Sequence, residues 1–249
     1  MTPSRSDEVR LAVMLLSRLP AGQIRGEPPA MAASFWAWPL VGIAVGALGS
    51  VVCWLALGIG APPTIAALLA VTAGVLATGA MHEDGLADLA DGFGGGRDRE
   101  RKLEIMRDSR IGSYGVIALL LAFGLRWVGL SVAAGTGGAT LALIGLAAAS
   151  RAVLPAALVL MPAARSDGLG YAARGDDMRP ALAAAGLGFF CLMPLGLGTA
   201  LTVAIVVAIA SLAVAVLALR QIGGQTGDVM GAMQQVAECA GWVILASAL

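Results

Sequence analysis

The chain has 249 residues, 58% hydrophobic and 13% charged, with a formal net charge of zero and a mean hydropathy of +0.85. Soluble domains carry about 25% charged residues, so these figures exclude an ordinary water-soluble domain and indicate a lipid bilayer as the surrounding medium. Zero net charge gives no basis for a nucleic-acid partner.

Residues 5–19 read as an amphipathic helix at the membrane surface. They do not read as a cleavable signal, because Arg18 interrupts the apolar run. Pro20, Gly22, Gly26, Pro28 and Pro29 then break the helix. Residues 28–81 contain no Asp, Glu, Lys or Arg, enough for two spans of roughly 20 residues. The first fits 34–58 and the second 64–81, with Pro62 and Pro63 at the turn. Trp36, Trp38 and Trp54 read as interfacial residues. The second span runs without an evident breaker into His82-Glu83-Asp84-Gly85-Leu86-Ala87-Asp88-Leu89-Ala90-Asp91-Gly92, after which Gly92 to Gly96 suggest a loop open to a ligand.

Further spans fit 112–133, 139–161, 181–196, 199–219 and 229–248. The expected fold is all-α, a single membrane domain over 1–249, with about seven transmembrane helices behind the N-terminal amphipathic helix. Lys and Arg concentrate before residue 26, in 97–110, in 162–180 and at Arg220, whereas the turns near 60, 136 and 197 are uncharged. The positive-inside rule then places the N-terminus and nearly all acids in the cytoplasm. Cys53, Cys191 and Cys239 are far apart and read as small buried hydrophobes. Arg126 and Arg151 interrupt spans and should face the bundle interior or snorkel to an interface.

The first chemical constellation is Asp84, Asp88 and Asp91. At about 100° per residue all three project from one helical face, where a divalent cation would relieve their repulsion. Mg²⁺ suits such a site, since it takes one or two carboxylates and leaves positions for water and phosphate. The plain alternative is a solvated acidic face neutralised by the basic residues of 97–110. Asp108 is a candidate fourth ligand, and Arg107 and Arg110 are candidate phosphate clamps. His82 is a candidate base, ligand or orienting group. Near the end, Thr226 suits an N-cap and Asp228 a helix start. Gln235 and Glu238 put polar groups on an otherwise apolar helix, which marks them as candidate functional positions.

The run 82–92, followed by Arg99-Glu-Arg-Lys-Leu-Glu-Ile-Met-Arg-Asp-Ser-Arg-Ile-Gly-Ser-Tyr-Gly115, closely resembles the cobalamin synthase family, the adenosylcobinamide-GDP ribazoletransferases. Pro39-Leu-Val-Gly42 and Gly224-Gln-Thr-Gly-Asp-Val-Met-Gly-Ala232 look like the same family, in the same order along the chain. The resemblance implies transfer of adenosylcobinamide-GDP onto α-ribazole or its 5′-phosphate, with release of GMP, Mg²⁺ as cofactor and the bacterial inner membrane as location. It places the acidic motif on Asp84, Asp88 and Asp91, and the following motif on Asp108 and Arg110. Within that reaction the expected roles are metal binding by Asp84, Asp88, Asp91 and Asp108. Arg107, Arg110 and Arg151, with Gln235 and Glu238, are expected at the substrate. His82, Glu83 or Asp228 would accept the hydroxyl proton. A homo-oligomer is left open. The rival readings are a CDP-alcohol phosphotransferase, a prenyltransferase and a cation transporter. A transporter would need acids lining a path across the membrane, and here they crowd at one surface.

Overall fold

A computed structural model describes residues 4–248. Among the described residues its regular elements are all helices. Ser4 opens α1 (Arg5–Leu16) with a capping box, its hydroxyl accepting from the Asp7 amide. The buried face of α1, Glu8, Ala12 and Leu16, lies on the 3₁₀ segment Met31–Ala37. There Trp36 Nε1 donates to Glu8 Oε2 at 2.6 Å.

Next come α2 (Trp38–Gly58), α3 (Pro63–Thr78), α4 (Met81–Gly95), α5 (Arg99–Ile105) and α6 (Ser113–Thr136). They are followed by α7 (Ala139–Ala152), α8 (Leu154–Leu160), α9 (Gly168–Ala172), α10 (Arg179–Leu192), α11 (Leu197–Ile222) and α12 (Gly227–Ala248). Five stretches are long and apolar enough to cross a bilayer: Met31–Gly58, Ser113–Thr136, Ala139–Leu160, Leu197–Ile222 and Gly227–Ala248. The bent pair α3 and α4 makes a sixth when taken together, and Arg179–Leu195 is apolar but shorter, so five or six spans are long enough where about seven were expected. The chain is therefore a multi-pass membrane protein. Helix contacts follow the rule for lipid, where small residues let backbones approach. A side chain at Gly46 of α2 would come within 2.6 Å of the Leu143 carbonyl oxygen on α7.

Two expectations for the acidic segment are corrected. It does not continue the second span, because α3 and α4 meet at 87°. Gly79 and Ala80 both adopt left-handed backbone, with φ of 66° and 59°. The Arg18 amide donates to the Ala77 carbonyl at 2.7 Å, closing the end of α3 from outside. The glycines after Asp91 are not an open loop either. The helix runs to Gly95, and Met106, Lys102 and Tyr114 pack over Gly92, Gly96 and Gly94. Trp38 also departs from its interfacial assignment: it is 4% exposed and packs edge-on to Phe35, whereas Trp54 is 69% exposed. The cysteines are free, with Cys53 and Cys239 buried.

A polar core fastens α4 to its neighbours. Arg126, about 20 Å along α6 from its start, donates from Nη1 to Glu83 Oε1 at 2.7 Å and to Gln235 Oε1 at 2.9 Å. Its Nε lies 3.3 Å from Glu238 Oε1. Gln235 Nε2 donates to the same Glu83 oxygen at 3.1 Å. Gln234 joins Glu238 to Ser150, and Arg151 donates to the Ala147 carbonyl at 3.0 Å. Two arginines thus neutralise two glutamates, which permits all four to be buried. Arg126 and Arg151 face the interior as expected, so neither snorkels.

Ala80 is the only non-glycine residue with positive φ among the described residues. That conformation costs an L-residue about 1–2 kcal/mol. Ala80→Gly should therefore raise the thermal midpoint in detergent by a few degrees; a lower midpoint would mean that the bend is not left-handed there. Arg126→Met should cost about 3–5 kcal/mol by stranding two buried carboxylates. Adding Glu83→Gln and Glu238→Gln should recover most of that loss, and strictly additive losses would show that the three groups are not coupled.

Candidate active site

The acids of α4 divide by partner. Asp91 is buried, and its carboxylate accepts from the Gly112 amide at 2.7 Å and the Gly115 amide at 2.9 Å. These are unpaired amides at the start of α6, so Asp91 caps that helix from a distant segment. Asp84 and Asp88 behave differently. Asp84 is exposed and Asp88 half-buried, and among the described residues no protein hydrogen bond or ion pair engages either side chain. They share a helical face at one turn's spacing.

Asp228 comes to them from α12. Thr226 caps that helix, its hydroxyl oxygen accepting from the Val229 amide at 3.2 Å while its hydroxyl donates to Asp228 Oδ2 at 3.2 Å. The two helices cross closely because glycines face each other. A side chain at Gly85 would fall 2.9 Å from the Asp228 carbonyl oxygen and 3.2 Å from the Gly231 Cα. Asp84 and Asp228 both lie within electrostatic reach of Asp88.

Arg165 is the cation at this junction. Its Nη2 lies 3.5 Å from Asp228 Oδ2 and donates to the Leu103 carbonyl at 3.2 Å, while its buried Nε has no protein partner. The segment that carries it is tied to the start of α12. Ala164 N donates to the Gln225 carbonyl at 2.9 Å and Gln225 N to the Pro162 carbonyl at 2.8 Å. Arg99 clamps both strands, donating to the carbonyls of Ile222 and Ala164 at 2.9 and 2.7 Å. Nothing in sequence spacing singled out Arg165 among the cations of its loop. The available signal was its position just after Pro162, at the end of the fourth span.

The remaining candidates fall elsewhere. Arg107 Nη2 donates to both carboxylate oxygens of Asp167, at 2.6 and 2.8 Å, beside Arg165. Arg110 is largely in solvent and pairs with Asp108 at 2.6 Å. That guanidinium holds the Asp108 carboxyl down at about 2, so it stays ionised throughout the physiological range. Glu83, Gln235, Glu238 and Arg151 belong to the polar core and are not gathered at the exposed carboxylates. His82 is 2% exposed, with Nε2 unpartnered, and forms part of the wall between that core and an apolar cavity of about 220 Å³. Asp84 and Asp228 border the same cavity. Among the described residues no group of three or more His, Cys, Asp or Glu side chains is arranged as a metal cage. The four-carboxylate metal site expected from sequence is therefore not assembled: Asp91 is committed to backbone amides and Asp108 to Arg110.

Comparisons with known proteins identify the family. The family model described as cobalamin-5-phosphate synthase matches residues 8–246. A protein of Bradyrhizobium diazoefficiens named adenosylcobinamide-GDP ribazoletransferase is 48% identical over 93% of this chain and 90% of its own. Proteins of the same name from Mesorhizobium japonicum and Azorhizobium caulinodans are 46% and 45% identical, over 98% and 94% of this chain and 94% and 92% of theirs. No solved structure matches the chain. A family model matching residues 8–246 and relatives 45–48% identical over nearly the whole chain make this chain a member of the cobalamin-5-phosphate synthase family.

Proposed function

We infer that this chain is the transferase its relatives are named for, joining adenosylcobinamide-GDP to α-ribazole with release of GMP, and that it does so where α4 crosses α12. The family description names a 5-phosphate product, so α-ribazole 5′-phosphate is an equivalent acceptor. The observation that carries the reading is the convergence of Asp84, Asp88 and Asp228 beside Arg165, with two of those acids bordering a cavity. Membership of the family sets aside the CDP-alcohol, prenyl-transfer and transport readings.

In this reaction a ribose hydroxyl oxygen bonds to the phosphorus attached to cobinamide, and the bond from that phosphorus to the GMP oxygen breaks. The hydroxyl proton goes to a base and GMP departs with the bonding pair. Asp228 suits the base. Its Oδ2 is held by Thr226 and Arg165, which leaves Oδ1 without a protein partner. Arg165, with an unused Nε, and Arg107 beside it are placed to meet phosphate oxygens as charge develops. Arg110 and Arg151 are too far out and too deeply committed, respectively, to share that role.

Mg²⁺ fits the donors present, because it needs only one or two carboxylates alongside water and phosphate oxygens. Asp84 and Asp88, free of protein partners, would hold it. Bound there, it would supply charge neutralisation for the pyrophosphate and the leaving GMP. The reading places the site on the cytoplasmic side of the bacterial inner membrane. Its support is the Lys and Arg bias of the segments around the site and the lack of charge in the turns at the opposite ends.

GMP release by purified variants tests the division of labour. Asp88→Asn should lower the rate by roughly 100-fold or more, and chelation of divalent cations should do the same to the unaltered protein. Asp108→Asn and Arg110→Gln should stay within a few-fold of it. Near-normal turnover by Asp88→Asn, or its loss in Asp108→Asn with normal folding, would overturn the assignment.

A further inference from the structure

The cavity of about 220 Å³ bordered by Asp84 and Asp228 has an unusual composition for a site that handles phosphates. Apart from those two carboxylates and His82, its walls are apolar side chains and glycine backbone. Trp38, Met31, Met81 and Met230 supply flat and polarisable surface, and Leu16 of α1 and Leu158 of α8 add to the lining of a pocket that opens on one side. Trp38 and Leu158 are 4% and 1% exposed. Thioethers and aromatic rings are suited to gripping a flat ring.

Resting on the transferase reading above, we propose that this cavity seats the aromatic base of α-ribazole, with its ribose turned towards Asp84 and Asp228. Size and polarity select it from the three large groups in the reaction. A cavity of about 150 Å³ lined by apolar side chains admits benzene, so this one admits a two-ring base and is far too small for a corrin macrocycle. Guanine has the right size but the wrong chemistry. Its exocyclic oxygen and amino group would be desolvated against leucine and methionine, at a cost of several kcal/mol. The benzimidazole of α-ribazole carries methyl groups where guanine carries polar ones. Its ribose hydroxyls need acceptors, and the carboxylates at the cavity border provide them. In this arrangement the nucleophile lies next to Asp228 and the metal-binding pair, while the corrin and the nucleotide stay outside the apolar enclosure. The N-terminal helix then has a direct role, because Leu15 and Leu16 form part of the wall that holds the acceptor.

Binding and steady-state kinetics test the proposal separately. Added alone to purified protein, α-ribazole should quench tryptophan fluorescence, and the quench should be lost in Trp38→Phe. A quench by GMP that α-ribazole does not produce would overturn the assignment, as would displacement of bound lipid with no α-ribazole binding, which would make an acyl chain the occupant. Filling the cavity with Leu158→Phe should raise KM for α-ribazole about tenfold while KM for adenosylcobinamide-GDP stays within twofold. A rise confined to adenosylcobinamide-GDP would contradict it. If Leu158→Phe does not fold, Leu16→Phe on α1 makes the same test. The fluorescence measurement needs no turnover, so a protein that binds α-ribazole at Trp38 but forms no GMP would refute the transferase reading and leave the cavity assignment standing.

Discussion

The architecture depends on a buried cation shared by two carboxylates. Arg126 sits near the middle of a membrane-length helix, where an unpaired charge is costly. Glu83 and Glu238 neutralise it from α4 and α12, so three helices are tied at one point. A short helix standing at 87° to the one before it takes its direction from its neighbours α6 and α12. With Glu83 anchored, the next turn of α4 is fixed in position, and Asp84 and Asp88 are presented on the adjacent face. Asp91 fixes the other end of the helix by capping α6. The chemistry proposed for the exposed acids therefore rests on neighbouring acids that perform none of it.

The same logic explains why the outer and inner carboxylates on one short helix have opposite fates. Glu83 and Asp91 are buried with partners, and Asp84 and Asp88 have none. Charges without protein partners at the border of a cavity remain available to a cation or a substrate. The close crossing of Gly85 and Gly231 brings Asp228 to this pair, and the clamp formed by Arg99 holds the Arg165 loop beside it. Unpartnered carboxylates, an arginine and an apolar cavity thus meet at one crossing of two helices, the arrangement on which the proposed reaction rests.

Much of this could be read from the sequence. Charge-free runs located the spans, Thr226 announced its helix start, and Arg126 and Arg151 inside apolar runs had either to face the interior or to snorkel. The bend at Gly79 was hidden because a single glycine after an apolar helix does not distinguish a passing residue from a corner. It takes the second left-handed residue, Ala80, to make one. The role of Asp91 was hidden for a different reason. Helical spacing correctly aligns it with Asp84, yet its partners are amides more than twenty residues away, and no local pattern reports them. Gln235 and Glu238 were read as functional because polar groups at membrane depth usually are, and Glu83 as a candidate proton acceptor; here all three bind Arg126. Arg165 escaped notice because only the pairing of its loop with Gln225 brings it to Asp228.

The most direct measurement is the stoichiometry of the reaction by the purified chain and by a variant lacking both Asp84 and Asp228. With adenosylcobinamide-GDP, α-ribazole and Mg²⁺, the unaltered protein should form one cobalamin for each GMP released. The folded Asp84→Asn, Asp228→Asn variant should form neither. Equal amounts of both products from that variant, or GMP released without any cobalamin by the unaltered protein, would contradict the account.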